Sequence, residues 1–388
     1  MKIKAFWRDI HFLQFLGQVI FVLLVALAAG YFYANVSANL TRQGLTVGYG
    51  FIKNPASFDI GETYISYDAS NSYGRAIIVG LTNTLVVTAL GIFFTTIVGV
   101  IVGVARLSTN WLVNKLAAAY VGIFRNTPLV IQLMFWYFGV ILKLPPVREA
   151  VALPGPVYLT QRGIYMIWYD ATPTFDAWRG LIWLAIASIF VIWFIFGQAQ
   201  KRAKQPLSLW WYLAYLLVPI LILWIGAVIQ PEPPLKEDIP ELVGLNFRGG
   251  LRLTPEFAAL LFGLVIYTGA FVAEVVRAGI QAVSRGQVEA ARSLGLSSGQ
   301  TLRLIIFPQA LRVIIPPLTS QYLNLAKNSS LAIAIGYPDL FSVAKTVINQ
   351  TGATIEVIVI IMLSYLSMSL FTSLLMNIYN RRVRLVER

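Results

Sequence analysis

Eight stretches of this chain stay apolar for about 20 residues or more, the length of helix that crosses a bilayer. They cover residues 12–33, 76–105, 116–142, 181–199, 209–229, 257–280, 310–335 and 356–379. In lipid each backbone N–H and C=O must find a partner within the protein, and a helix meets that demand within one segment. The predicted fold class is therefore an all-α integral membrane protein with about eight transmembrane helices. The second, third and seventh stretches are long enough to be tilted, kinked or broken.

Composition agrees. Hydrophobic residues make up 57% of the 388 positions and charged residues only 12%, about half the charge of a soluble domain. Mean hydropathy is +0.71. The net charge of +13 would point to nucleic acid in a soluble protein, but here the Lys and Arg collected by cytoplasmic loops account for it. There is no cysteine and one histidine, His11. That rules out disulfides and thiolate metal sites, and it removes the partners of a Ser-His-Asp triad. No catalytic residue, metal site or nucleic-acid partner is expected.

A cytoplasmic N-terminus puts Lys2, Lys4, Arg8, Arg106, Lys115, Lys201, Arg202, Lys204, Arg277, Arg285, Arg292, Arg303, Arg312, Arg381, Arg382, Arg384 and Arg388 on the inside, seventeen of the 30 basic residues. The acids Asp59, Glu62, Asp68, Glu237, Asp238 and Glu241 fall outside. This bias predicts both termini in the cytoplasm. The mixed flank Arg8-Asp9 and the aromatic run Tyr31-Phe32-Tyr33 favour a retained first helix over a cleaved signal peptide. Outer loops at 34–75, 143–180 and 230–256 are rich in Gly, Pro, Asn and aromatics, which suits ordered loops. They read either as a platform for a partner or as simple connectors.

The segment between the sixth and seventh stretches, QAVSRGQVEAARSLGLSSGQTLRLIIFPQALRVIIPP, is too polar for lipid. Val283, Val288, Ala291, Leu294 and Leu302 recur at helical spacing, with Arg285, Arg292 and Arg303 elsewhere around the axis. Gly295 is placed to end one short helix, and Ser297 or Ser298 to cap the next. The pattern alone fits docking into a partner's groove as well as lying on the lipid surface.

Within that segment Glu289-Ala290-Ala291, Gly295, Ile305 and Pro308 stand at the spacing EAA---G---------I-LP, with Phe307 replacing the usual Leu. This resembles the cytoplasmic loop of binding-protein-dependent ABC importer permeases. GLTNTLVVT at 80–88, FRNTPLVIQLMFWYFG at 124–139 and AKNSSLA at 326–332 resemble helices of the polar amino acid (histidine/glutamate/glutamine) permeases. The N-terminal helix and the hairpin inserted at 181–229 resemble the longer permease subunits of general L-amino acid or glutamate/glutamine/aspartate/asparagine importers.

The resemblance implies a type I importer core of five helices, formed by the second, third, sixth, seventh and eighth stretches. It divides the chain into an N-terminal helix and loop (1–75), two core helices (76–142), inserted loops and hairpin (143–256), and three core helices (257–388) with a coupling loop at 281–308. It implies a permease subunit of an ATP-driven importer for polar L-amino acids in the bacterial inner membrane. ATPase coupling falls to Glu289, Ala290, Ala291, Leu294, Gly295, Ile305 and Pro308. The implied partners are a cytoplasmic ATPase dimer that holds ATP and Mg, a second homologous permease in a heterodimer, a periplasmic amino acid-binding protein, and lipid. The alternatives are an ion-driven secondary transporter and an ABC permease for another solute.

Two other motifs mislead. Gly295-Leu-Ser297-Ser-Gly299 matches the nucleophile elbow but lacks its strand context and a His/acid pair. Gly299-Gln-Thr301 echoes a P-loop without its Lys.

Charges inside the stretches suggest a substrate pathway. Arg125 facing lipid would cost at least about 2.5–3.5 kcal/mol, so it must face a cavity, a neighbour or the interface. Pro128 removes a backbone hydrogen bond and frees carbonyls near Phe124 and Arg125, and Asn126, Thr127 and Gln132 extend the polar face. Lys327, Asn328 and Ser329 form a second cluster after a break expected at Pro316-Pro317, with Glu274 as a counter-charge. A zwitterion needs a cation for its carboxylate and an acceptor for its ammonium. These residues supply both types, or they serve as structural pairs and interface anchors.

Overall fold

The computed structural model describes residues 10–42, 48–202 and 209–383. Of the topology residues, Lys2, Lys4, Arg8, Asp9, Lys204, Arg384 and Arg388 lie outside them. The chain is mainly helical: α1 (Ile10–Arg42), α2 (Tyr73–Ala105), α3 (Trp111–Asn126), α4 (Leu129–Met134), α5 (Phe175–Arg202), α6 (Leu209–Ile229), α7 (Pro255–Gln281), α8 (Arg285–Ser293), α9 (Ser298–Thr301), α10 (Phe307–Asn328), α11 (Leu340–Thr351) and α12 (Thr354–Val383).

Among the described residues six helical stretches are long and apolar enough to cross a membrane, while 129–143 and 216–229 are shorter apolar pieces. The third stretch is thus broken rather than continuous. Two compact units emerge: one comprises the described residues up to Trp136 together with those from Ala259 on, and the other is Tyr137–Ala258.

In the first unit α2 packs on α11, and α10 on α12. One apolar core joins Ala76 and Ile77 of α2 to Leu340, Val343 and Val347 of α11. A second joins Val272 and Val276 of α7 to Ala310, Ile314 and Leu318 of α10. α2 meets α7 through Gly99 and Gly103: a Cβ on Gly99 would lie 2.3 Å from a Val272 methyl, and one on Gly103 2.7 Å from the Ala273 carbonyl. Only glycine permits that approach, as at other small-residue helix crossings. α1, by contrast, has no buried residue in its apolar window.

α10 runs without interruption through Pro316 and Pro317, where the sequence suggests a break. Buried Ile314, Ile315 and Leu318 hold the helix on its neighbours. The carbonyls that these prolines leave without an α-helical donor are those of Arg312 and Val313, and the helix continues past them to Asn328. The irregularity lies instead at the ends. The π-turn Leu302–Ile306 precedes α10, with the Phe307 N–H bonded to the Leu302 carbonyl. Pro308 follows directly and has no N–H to continue the α ladder. Beyond α10 the chain tightens into a 3-10 segment, Ser329–Ile335.

The second unit holds the α5–α6 hairpin and eight strands of three or four residues, too short to read from alternation. β1 (Val151–Leu153), β2 (Val157–Thr160), β3 (Gly163–Met166) and β8 (Leu251–Leu253) form one antiparallel sheet in that order. β4 (Trp168–Ala171) pairs with β5 (Leu235–Asp238), and β6 (Glu241–Val243) with β7 (Asn246–Arg248). Phe247 stacks on Tyr158 at 4.6 Å and lies tilted on Tyr165 at 5.0 Å. Loops 143–180 and 230–256 are therefore largely ordered by strand pairing.

Candidate functional site

The polar segment after α7 folds as two short helices around a glycine. Gly295 has φ +79°, a left-handed conformation that costs other residues energy. Its N–H bonds the Arg292 carbonyl at 2.9 Å, and the Leu296 N–H bonds the Ala291 carbonyl at 3.2 Å. This pair of bonds is a Schellman cap ending α8. Ser297 caps α9, accepting from the Gln300 N–H, while the Gln300 side chain accepts from the Ser297 N–H. Ser297 rather than Ser298 is therefore the cap.

Ala291 and Thr301 are buried, and α8 packs on α9 and on the π-turn Leu302–Ile306. Glu289, Ala290 and Pro308 are exposed and Ile305 is half-buried. Leu294 is 82% exposed. A leucine left so open beside a rigid turn has no role in this chain's own packing and offers an apolar knob.

The second polar region surrounds Pro128. α3 ends at Asn126, Thr127 is extended (φ −103°, ψ 129°), and α4 starts at Leu129, as expected of a residue before proline. The freed carbonyls are taken up locally: buried Gln132 donates to the carbonyls of Phe124 and Thr127, each at 2.9 Å. Arg125 and Asn126 are exposed, and the Arg125 guanidinium lies 5.0 Å over the Phe271 ring of α7, a cation–π distance.

α4 packs against Ser329–Ile335, which brings the Gln132 helix beside the second cluster. Lys327 is exposed, Asn328 half-buried and Ser329 buried. Ser329 and Ser330 turn their hydroxyls onto the carbonyls of Ala326 and Lys327 at 2.8 and 2.7 Å.

Glu274 sits one turn beyond Phe271 and is occupied: Arg106 and Arg277 both form ion pairs with it. In the sequence Arg106 reads only as a loop charge, because its partner is 168 residues away.

A buried network also went unread. Asn83 and Thr84, in the GLTNT stretch, hold the turn before α11: the Asn83 amide donates to the Pro338 carbonyl at 2.8 Å, and Thr84 accepts the Leu340 N–H at 3.0 Å. Asp339 is fully buried. It caps α11 by accepting the Ser342 N–H at 2.9 Å, and it accepts the Tyr365 hydroxyl at 3.4 Å. Burial pushes its carboxyl up to about 6.

Among the described residues, six helices long and apolar enough to cross a membrane, with polar clusters at their breaks and a glycine turn between α8 and α9, define a multi-pass membrane protein. The family described as "Binding-protein-dependent transport system inner membrane component" matches residues 200–385, which include the glycine-hinged element. The chain is 47% identical over 383 residues to a putative amino-acid ABC transporter permease protein of Escherichia coli, covering 96% of this chain and 94% of that one. It is 44% identical to the general L-amino acid transport system permease protein of Rhizobium johnstonii, covering 91% and 88%. It is 38% identical to the glutamate/glutamine/aspartate/asparagine transport system permease protein of Rhodobacter capsulatus, covering 98% and 96%. The chain belongs to this family of ABC permeases, and an ion-driven secondary transporter is not favoured.

Proposed function

We propose that this chain is a permease subunit of an ATP-driven importer of polar L-amino acids in the inner membrane, with both termini in the cytoplasm. The observation that carries this reading is the near full-length similarity to permeases whose names specify amino acids. A periplasmic binding protein delivers the substrate, and a second, related permease completes the pathway. The ATPase dimer, holding ATP and Mg, performs the hydrolysis, and this chain binds no cofactor of its own.

In this reading Glu289, Ala290, Ala291, Leu294, Gly295, Ile305 and Pro308 form the coupling element. The exposed Leu294 enters a groove of the ATPase, and the Schellman turn keeps the two short helices at a fixed angle, so the pair moves as a lever. Arg125, Asn126, Thr127, Pro128, Gln132, Lys327, Asn328 and Ser329 line the pathway, and Glu274 lies at its edge within an ion cluster. Arg125 or Lys327 meets the substrate carboxylate. The four sequence divisions, 1–75, 76–142, 143–256 and 257–388, describe the working parts.

Uptake of labelled amino acid into vesicles carrying the complete transporter tests this. Uptake abolished by vanadate and competed by unlabelled polar L-amino acids supports the reading. Uptake collapsed only by a protonophore, or competed only by other solutes, overturns it.

A further inference from the structure

Arg106 directly follows α2, and its N–H bonds the carbonyls of Val102 and Val104. Its guanidinium pairs with one carboxylate oxygen of Glu274. The other oxygen accepts from Arg277, through Nε at 3.1 Å and through Nη2. Arg277 then donates from Nη1 to the Gln281 side-chain oxygen at 2.6 Å, and Gln281 is the last residue of α7, four before α8 begins. On the other side the Asn114 amide of α3 donates to the Arg106 carbonyl at 2.5 Å. A set of polar contacts thus joins the ends of α7, α2 and α3; the glycine-hinged element follows covalently, its α8 starting four residues after Gln281, and α3 carries Arg125.

The three charged side chains are only 24–27% exposed. Two cations share one carboxylate, so removing the carboxylate leaves like charges facing each other in a partly desolvated place. Immediately along the same helices the Gly99 and Gly103 crossing locks α2 to α7. Salt bridge and glycine crossing together make this joint stiff, and the contacts it transmits are direct.

We propose that Arg106, Glu274 and Arg277 are positioning residues for transport, an ionic joint that carries movement of the 285–301 element into α2 and α3. The inference rests on the importer reading above. When the element shifts, α7 turns with it through Gln281 and Arg277. Glu274 then draws Arg106, and with it the ends of α2 and α3.

The test uses the complete transporter in proteoliposomes and reads ATP hydrolysed per amino acid taken up. E274Q and R106Q each raise that ratio by roughly two- to thirtyfold, the size of effect of mutations along a coupling network. The E274Q/R106Q double variant is no worse than E274Q, and R106K, which keeps the charge, stays near the wild type. An unchanged ratio in E274Q overturns the joint. So does a parallel fall of uptake and hydrolysis that tracks the amount of folded complex, which is the mark of a purely structural role. Should E274Q fail to assemble, R106Q decides by the same ratio. Wild-type uptake that ignores ATP would sink the importer reading itself, whereas ATP-driven uptake with a normal E274Q ratio sinks only the joint.

Discussion

Gln132 reaches back across Pro128 and donates its side-chain amide to the Phe124 carbonyl, eight residues earlier, at 2.9 Å. The same nitrogen serves Thr127, so one buried side chain holds both acceptors at the break. Without it the carbonyls of Phe124 and Thr127, at the gap between α3 and α4, would lose this donor.

Gln132→Leu keeps the volume and removes the donor. It should destabilise the protein by about 1–3 kcal/mol, the penalty of leaving buried polar groups unsatisfied. Thermal unfolding in detergent measures this, and an unchanged midpoint would mean that other groups serve those carbonyls.

Asp339 gives a pH prediction. Its carboxyl ordinarily titrates at 3.8, and burial pushes it up to about 6. The folded state therefore holds the proton more tightly than the unfolded chain. The stability this contributes is complete below about pH 4 and is lost as pH rises through about 6. Asp339→Asn keeps a side-chain oxygen for the α11 cap, since Asn caps as well as Asp, and removes the titration. The midpoint difference between variant and wild type should shift in the variant's favour as pH rises from about 4 to about 7. Parallel curves would show that Asp339 titrates normally.

How much of this was legible beforehand follows from the range of each interaction. The apolar stretches, the break at Pro128 and the Gly295 turn are written within a few residues; the structure shows the break and the turn and, among the described residues, six of the eight stretches as helices long enough to cross a membrane. The strands of Tyr137–Ala258 are three or four residues long and pair across up to 89 positions, as Ile164 does with Leu253, so no local periodicity announces them. The double pairing of Glu274 was half legible: Arg277 lies one turn away, but Arg106 reaches it only through the α2–α7 crossing. Pro316 and Pro317 suggested a break that burial of the surrounding helix overrides.

Arg125 is exposed and stacks on Phe271. Arg125→Gln keeps length and polarity but drops the charge. Uptake should fall, with the ATPase still bound and the protein still inserted. The effect should appear mainly as weaker substrate affinity, by roughly ten- to a hundredfold or more for a lost charge-assisted contact of about 1.5–3 kcal/mol. Unchanged uptake kinetics would return Arg125 to a structural role.

The central claim is that the Glu289–Gly299 element couples this chain to an ATPase, and Gly295→Val tests it most directly. A β-branched residue is strained at φ +79°, while the space around Gly295 is open, so the turn is disturbed without a clash in the body. Uptake and ATP hydrolysis are measured together in proteoliposomes holding the complete transporter. The account predicts that the variant inserts normally and loses uptake while hydrolysis continues; wild-type uptake in that variant would contradict it.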